Sequence, residues 1–241
     1  MVTYLKWDSK FFKKRIARIN IDASYSLGKL RDSLRLFFQK KYDCGYLLIP
    51  SGKKELIDYC INHHFFLADR KIVMKKKTQR FDGRSTINIQ TGLSGNQVES
   101  IKKLTHQIAK KSRFYKDPHF KARAFELYGK WIENSISQKS YRCFFAVKNN
   151  QPVGLLTLKI KNGDPYIELF GVSASYRRLG IGKALLQTAD TWASKSGLKR
   201  IFVTTQSDND IAVLVYKKYG FTNDKITYIF HVWNKHDKNS I

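Results

Sequence analysis

LFGVSASYRRLGIGKALL, residues 169–186, joins a strand to a helix through a turn rich in glycine and arginine. The strand starts upstream as PYIELFGV, after the NGD turn at 162–164, and the helix runs on as GKALLQTADTWASKS. Gly180 and Gly182 free the backbone to turn with its N–H groups facing one centre. The helix amino terminus adds partial positive charge at that centre, and Arg177 and Arg178 add full charges. The stretch is a cradle for a pyrophosphate. It is not the dinucleotide fingerprint, because no GxGxxG occurs and the glycines follow a late strand.

Outward from this turn the chain alternates strands and helices. Downstream come a strand (KRIFVTT), a helix (DIAVLVYKKYG) and a last strand (ITYIFHVW). Upstream, YRCFFAVK and PVGLLTLKI form a hairpin around Asn149-Asn150. Before it lie the amphipathic segment 124–136, a polar elbow (KKSRFYKDPHF) and a helix opened by Ser94 and Gln97 in capping-box spacing. TINIQ (86–90) reads as a short strand. The first part of the chain reads as strand 15–21, helix 26–41, strand 45–50, helix 54–64 and strand 65–76. The polar stretch 75–86 marks the boundary, so the expected domains are 1–80 and 86–236.

Composition narrows the function classes. Of 241 residues 42% are hydrophobic and 14% aromatic, which excludes a disordered chain. No apolar run reaches the roughly 18 residues of a membrane helix, so no integral membrane segment is expected. MVTYLKWDSKFFKKR lacks the apolar core of a secretory signal, which predicts a cytoplasmic protein. Cys44, Cys60 and Cys143 form no CxxC pair and read as reduced thiols, with no metal site. Lys+Arg 45 against Asp+Glu 19 gives a net charge of +26, the balance of a chain that meets polyanions. The cations are dispersed, though, and lysine outnumbers arginine 32 to 13, so no nucleic-acid partner is expected.

The segment 169–186 resembles the acetyl-CoA-binding motif of the GCN5-related N-acetyltransferases (GNAT), [RQ]xxGx[GA]. Asn209 through DIAVLVYKKYGF to Phe221 is similar to that family's next motif. Together the two cover about residues 141–234. WDSKFF (7–12), SRFY (112–115), WIENSI (131–136) and TTQSDNDIAVLVYKKYG (204–220) extend the resemblance to the family's TDP-fucosamine acetyltransferase branch, over nearly the whole chain. The resemblance implies an α/β (α+β) GNAT fold, a mixed central sheet flanked by helices, with a smaller GNAT-like amino-terminal domain. It also implies acetyl-CoA as co-substrate, a nucleotide-linked amino sugar as acceptor, surface polysaccharide synthesis and a homodimer. The alternative is a GNAT enzyme for another amine: a protein amino terminus, a polyamine or an aminoglycoside.

The same resemblance assigns roles by position. Tyr216 falls where the family places its general acid, and Asn209 where an asparagine meets the pantetheine arm. Val215 departs from the basic residue usual before the tyrosine. Phe170, Gly171 and Val172 are implied to pair with pantetheine through their backbone, the Val172 N–H polarising the thioester carbonyl. Arg177, Arg178, Leu179, Gly180, Ile181, Gly182 and Lys183 are implied to wrap the pyrophosphate. Asp69 matches an acidic residue able to take the amine proton, with Glu168 as competitor. Arg113 and Tyr115, in the elbow, are the expected acceptor contacts. His63 and His64 read as capping groups at a helix end.

Overall fold

Ten strands form one continuous sheet in the computed structural model, which describes residues 2–234 except 23 and 84. In chain order the strands are β1 (Val2–Tyr4), β2 (Ile16–Asn20), β3 (Cys44–Pro50), β4 (Phe66–Lys77), β5 (Ile89–Gln90), β6 (Tyr141–Lys148), β7 (Gln151–Lys161), β8 (Asp164–Val172), β9 (Arg200–Gln206) and β10 (Thr222–Trp233). Their spatial order is β1-β2-β3-β10-β4-β9-β8-β7-β6-β5. All neighbours are antiparallel except β2–β3 and β8–β9, which makes the mixed α/β class expected from the sequence.

Among the described residues the α-helices are α1 (Lys6–Phe12), α2 (Leu27–Gln39), α3 (Lys54–Asn62), α4 (Gly95–Ala109), α5 (Arg113–Lys116), α6 (Pro118–Ser137), α7 (Ile181–Lys195) and α8 (Asp210–Lys218). Alternation along the strands divides them between two faces. In β3, Cys44 and Tyr46 pack with α1, α5 and α6, whereas Leu47 and Ile49 pack with α2 and α3. In β8 an extra residue, Glu168, breaks this alternation, so that Leu169 joins the cluster of α4 to α6 although Ile167, two residues earlier, joins that of α7. So α1, α4, α5 and α6 cover one face, and α2, α3, α7 and α8 the other.

Local chemistry explains the turns. The β6–β7 hairpin turns through Asn149 and Asn150, both at positive φ (49° and 57°), and the β7–β8 hairpin through Asn162 and Gly163 (51° and 82°). Two successive positive-φ residues give the turn whose twist matches paired strands. α4 opens on the expected capping box, with the Ser94 N–H donating to Gln97 Oε1 at 2.9 Å.

Three features differ from the sequence reading. The strand expected at 86–90 is only Ile89–Gln90, and the polar elbow contains the single turn α5. The helix expected at 124–136 begins at Pro118, with Asp117 as its N-cap. Asp-Pro is a helix-start signal, since proline at the first position sacrifices no hydrogen bond. Asp117 does more than cap. Its carboxylate is fully buried and also meets His231 Nδ1 (2.6 Å) and Trp233 Nε1 (3.1 Å), tying α6 to β10. One placement is long-range and had no counterpart in the sequence reading: β10, last in the chain, lies between β3 and β4.

Candidate active site

Strand β8 leaves its neighbour at a bulge. It pairs with β9 only through Tyr166↔Phe202 and Ile167↔Val203. On its other side Thr157 opposes Leu169 and Leu158 opposes Ile167, so Glu168 is an extra residue. An extra residue bends and twists a strand. Here β8 parts from β9 at the bulge, and the two diverge into a notch toward Val172.

The notch presents usable backbone. The Leu169 N–H donates to Thr157 Oγ1 and the Ser173 N–H to Val153 O, both toward β7. By alternation the N–H and C=O groups of Phe170 and Val172 turn to the open side. The Val172 carbonyl accepts from Arg177 Nε at 3.2 Å. Gly171 allows a close approach from the other face, since a Cβ there would lie 2.3 Å from Ile108 Cγ2.

Beyond the strand, one turn of 3₁₀ helix (Ala174–Tyr176) leads into the arginine–glycine turn. Arg178 and Gly180 adopt positive φ, 63° and 78°. The first i→i−4 bond of α7 runs from the Ala184 N–H to Gly180 O. Among the described residues, none of the N–H groups from Arg178 to Lys183 has a protein acceptor. Six consecutive donors at a helix amino terminus, beside two arginines and a lysine, suit a pyrophosphate. A Cβ on Gly182 would sit 3.4 Å from Phe170 Cζ and 3.8 Å from Val172 Cγ2, so this glycine keeps the passage from cradle to notch open.

Helix α8 borders the notch on the α7 face. Tyr216 is 4% exposed, with its ring 5.7 Å from Phe170 and 5.6 Å from Phe221. Its hydroxyl has no protein partner among the described residues and retains contact with solvent. Burial pushes the phenol well above its ordinary pKa. Asn209 stands at the N-cap position of α8 but its side chain makes no capping bond, which leaves the amide free for a ligand.

On the opposite face lies the elbow. Asp69, on β4, is buried with Oδ1 unpartnered, and burial raises its pKa to about 6 against the opposing pull of Arg113, Lys116 and Lys71. Glu168, by contrast, is satisfied by Lys161 (2.5 Å), the Tyr141 hydroxyl (3.0 Å) and Trp131 Nε1 (3.4 Å). Of the two carboxylates, only Asp69 has an oxygen to spare. Arg113 and Phe114 line a cavity of about 280 Å³ together with Trp7, Asp8, Trp131 and Lys159. Tyr115 is directed elsewhere, its hydroxyl bonded to His106 Nδ1. His63 is the C-cap residue of α3, and its Nδ1 lies 2.8 Å from Tyr59 O.

Residues 105–221 match the sequence profile of the acetyltransferase (GNAT) family. The chain carries a GNAT-family acetyltransferase domain. It is an acetyl-CoA-dependent N-acetyltransferase. The GNAT domain begins inside α4 and ends just after α8, so it holds the cradle, the notch and Tyr216 but neither Asp69 nor Trp7. The whole chain is similar to the spore coat polysaccharide biosynthesis protein SpsD of Bacillus subtilis, 22% identical over 94% of this chain and 81% of that protein. Its fold resembles that of a GCN5-related N-acetyltransferase from Sphaerobacter thermophilus (TM-score 0.66, 13% identity, 96% of this chain and 76% of that one). It also resembles the PaiA N-acetyltransferase of Thermoplasma acidophilum in complex with coenzyme A (TM-score 0.50, 20% identity, 62% and 100%). No helix among the described residues is long and apolar enough to cross a membrane.

Sequence reasoning missed the cavity residues Trp7, Asp8, Trp131 and Lys159. Trp7 and Trp131 lie in stretches quoted for their resemblance alone, and no local pattern joins residues from α1, α6 and β7 into one site.

Proposed function

We propose that this N-acetyltransferase acts on the amino group of a nucleotide-linked amino-deoxy sugar, for the synthesis of a surface polysaccharide. The cavity at the elbow carries the reading. It brings two cations, Arg113 and Lys159, into a recess on the face where Asp69 waits, and Arg113 acts electrostatically on that carboxylate. An acceptor with phosphate at one end and an amine at the other suits this arrangement. Similarity to a protein named for spore coat polysaccharide biosynthesis supports the sugar. The sequence resemblance supports a homodimer, with residues 1–80 as a GNAT-like unit beside the catalytic one.

In this reading Arg177 to Lys183 bind the pyrophosphate of the donor, and Asn209 with the open backbone of Phe170 and Val172 aligns its pantetheine arm. Val172 was the expected carbonyl polariser. It keeps that role in this reading, and the Phe170 ring lines the same notch against Tyr216. The acceptor nitrogen attacks the thioester carbon, the C–N bond forms and the C–S bond breaks. Asp69 takes the amine proton, directly or through water, and Tyr216 gives its hydroxyl proton to the sulfur.

Asp69 must be ionised to act, so activity is lost as pH falls through its pKa of about 6. A sugar amine titrating near 8, like an α-amino group, adds a second limb. The logarithm of kcat/KM should therefore fall with slope one between about pH 8 and 6 and slope two below. Asp69→Asn should abolish the lower break and reduce turnover roughly 10²-fold. A variant that keeps slope two would assign the base elsewhere.

The acceptor itself is tested with a panel. A nucleotide-linked amino sugar should be acetylated faster than a polyamine or peptide, and added salt should narrow the gap by screening the +26 charge. Peptides winning at low salt would overturn the acceptor and leave the GNAT chemistry standing.

A further inference from the structure

We infer that Trp7 is the shelf on which the nucleobase of the acceptor stacks, with Arg113 and Lys159 holding the diphosphate inward of it. This rests on the proposed sugar-nucleotide reading and specifies the end of the acceptor farthest from the chemistry.

Trp7 is 49% exposed, an unusual state for so large an apolar ring. It is nonetheless held. One face lies on Phe11 at 5.2 Å and 3°, and Phe11 is in turn covered by the Arg123 guanidinium at 4.3 Å. The ring is thus fixed from beneath while it lines the cavity mouth. A flat, pre-oriented aromatic face at the rim of a basic recess is the form that stacks a base with little ordering cost.

The two cations point to an anion. Arg113 lies 4.6 Å over the rings of both Tyr46 and Phe114, and Lys159 lies 5.0 Å over Tyr141. Among the described residues neither has a carboxylate in ion-pair contact. Half-buried cations resting on aromatic faces retain their hydrogen-bond donors for a ligand, and the guanidinium fork matches phosphate oxygens. Asp8 is the single acidic group of the lining, next to Trp7, where it can accept from a ribose hydroxyl or a base N–H.

Size sets the order of the parts. About 280 Å³ is less than the 300–1,000 Å³ of sites that enclose a whole drug-sized ligand. The recess suits a hexose and phosphate, which leaves the nucleoside at the rim. Leu127, Phe114 and Tyr141 form the buried floor, and Trp7 stands at the exposed edge.

The test is titration of the full-length protein with thymidine diphosphate and uridine diphosphate, read by calorimetry and tryptophan fluorescence. Wild type should bind at least one of them with quenching. Trp7→Ala should weaken that binding roughly tenfold or more and raise KM for the nucleotide sugar to match, with kcat and acetyl-CoA affinity little changed. Trp7→Phe should recover most of the affinity while losing most of the quenching. Lys159→Gln should also weaken the diphosphates but not the parent nucleosides. If wild type binds the diphosphates and Trp7→Ala binds them equally well, the shelf is wrong and the sugar-nucleotide acceptor stands. If wild type binds neither and acetylates peptides or free amino sugars instead, both readings fall together.

Discussion

Replacing Tyr216 with phenylalanine should lower turnover by roughly 10²-fold or more, with acetyl-CoA binding almost unchanged. The ring packs between Phe170 and Phe221, and phenylalanine preserves that packing. The lost hydroxyl has no protein partner among the described residues, so the substitution leaves no donor or acceptor unsatisfied and should cost little stability. An ordinary phenol is a weaker acid than an ordinary thiol, which makes the proton transfer uphill in water. Burial alters both partners alike. It raises the Tyr216 phenol, and it carries the buried thiols Cys60 and Cys143 to about 12. A thiolate leaving into the same apolar notch is likewise a stronger base than in water. Single-turnover kinetics keep product release from masking the effect. Near-native chemistry in the variant would return Tyr216 to the core.

Gly182→Val should abolish acetyl-CoA binding, lowering affinity by more than 10²-fold in a calorimetric titration. Gly182 lies in the first turn of α7 in ordinary helical conformation, so the backbone accepts a side chain. A methyl group would rest at contact distance from Phe170 and Val172, and Gly182→Ala should therefore bind the donor with modest loss. Valine adds two further carbons where, in the proposed reading, the pantetheine arm passes from cradle to notch. Valine is a slightly better helix former than glycine, so thermal unfolding should barely shift. Unchanged affinity in the valine variant would move the donor away from this turn. Gly180 is a different case, because its φ of 78° penalises any side chain whether or not a ligand is present.

How far these sites were legible depends on the sequence distance between their parts. The cradle is local: a strand, an RRLGIG turn and a helix lie within about twenty residues, so its strand–turn–helix form could be read from the sequence. The two hairpins were legible for the same reason, through Asn149-Asn150 and Asn162-Gly163. The bulge at Glu168 was not, because an extra residue shows only against the register of the neighbouring strand. The elbow cavity was invisible as a unit, since Trp7, Arg113, Trp131 and Lys159 are brought together by α1, α5, α6 and β7. Asp117 was readable in part. Asp-Pro announces the start of α6, but nothing local predicts its bonds to His231 and Trp233 more than a hundred residues away.

The place of β10 between β3 and β4 also bears on how the chain acquires its fold during synthesis. When β4 has left the ribosome, the strand that must fill the gap beside β3 has yet to be made. At typical elongation rates it follows after roughly ten to thirty seconds. Through most of that interval β3 lacks its partner on one edge and β4 on both, because β9 also follows later in the chain, and these edges are open to adventitious pairing. Closing the sheet then requires contacts across most of the chain length, a topology that slows the final step. The nascent amino-terminal unit is therefore the stage at which a chaperone has most to protect.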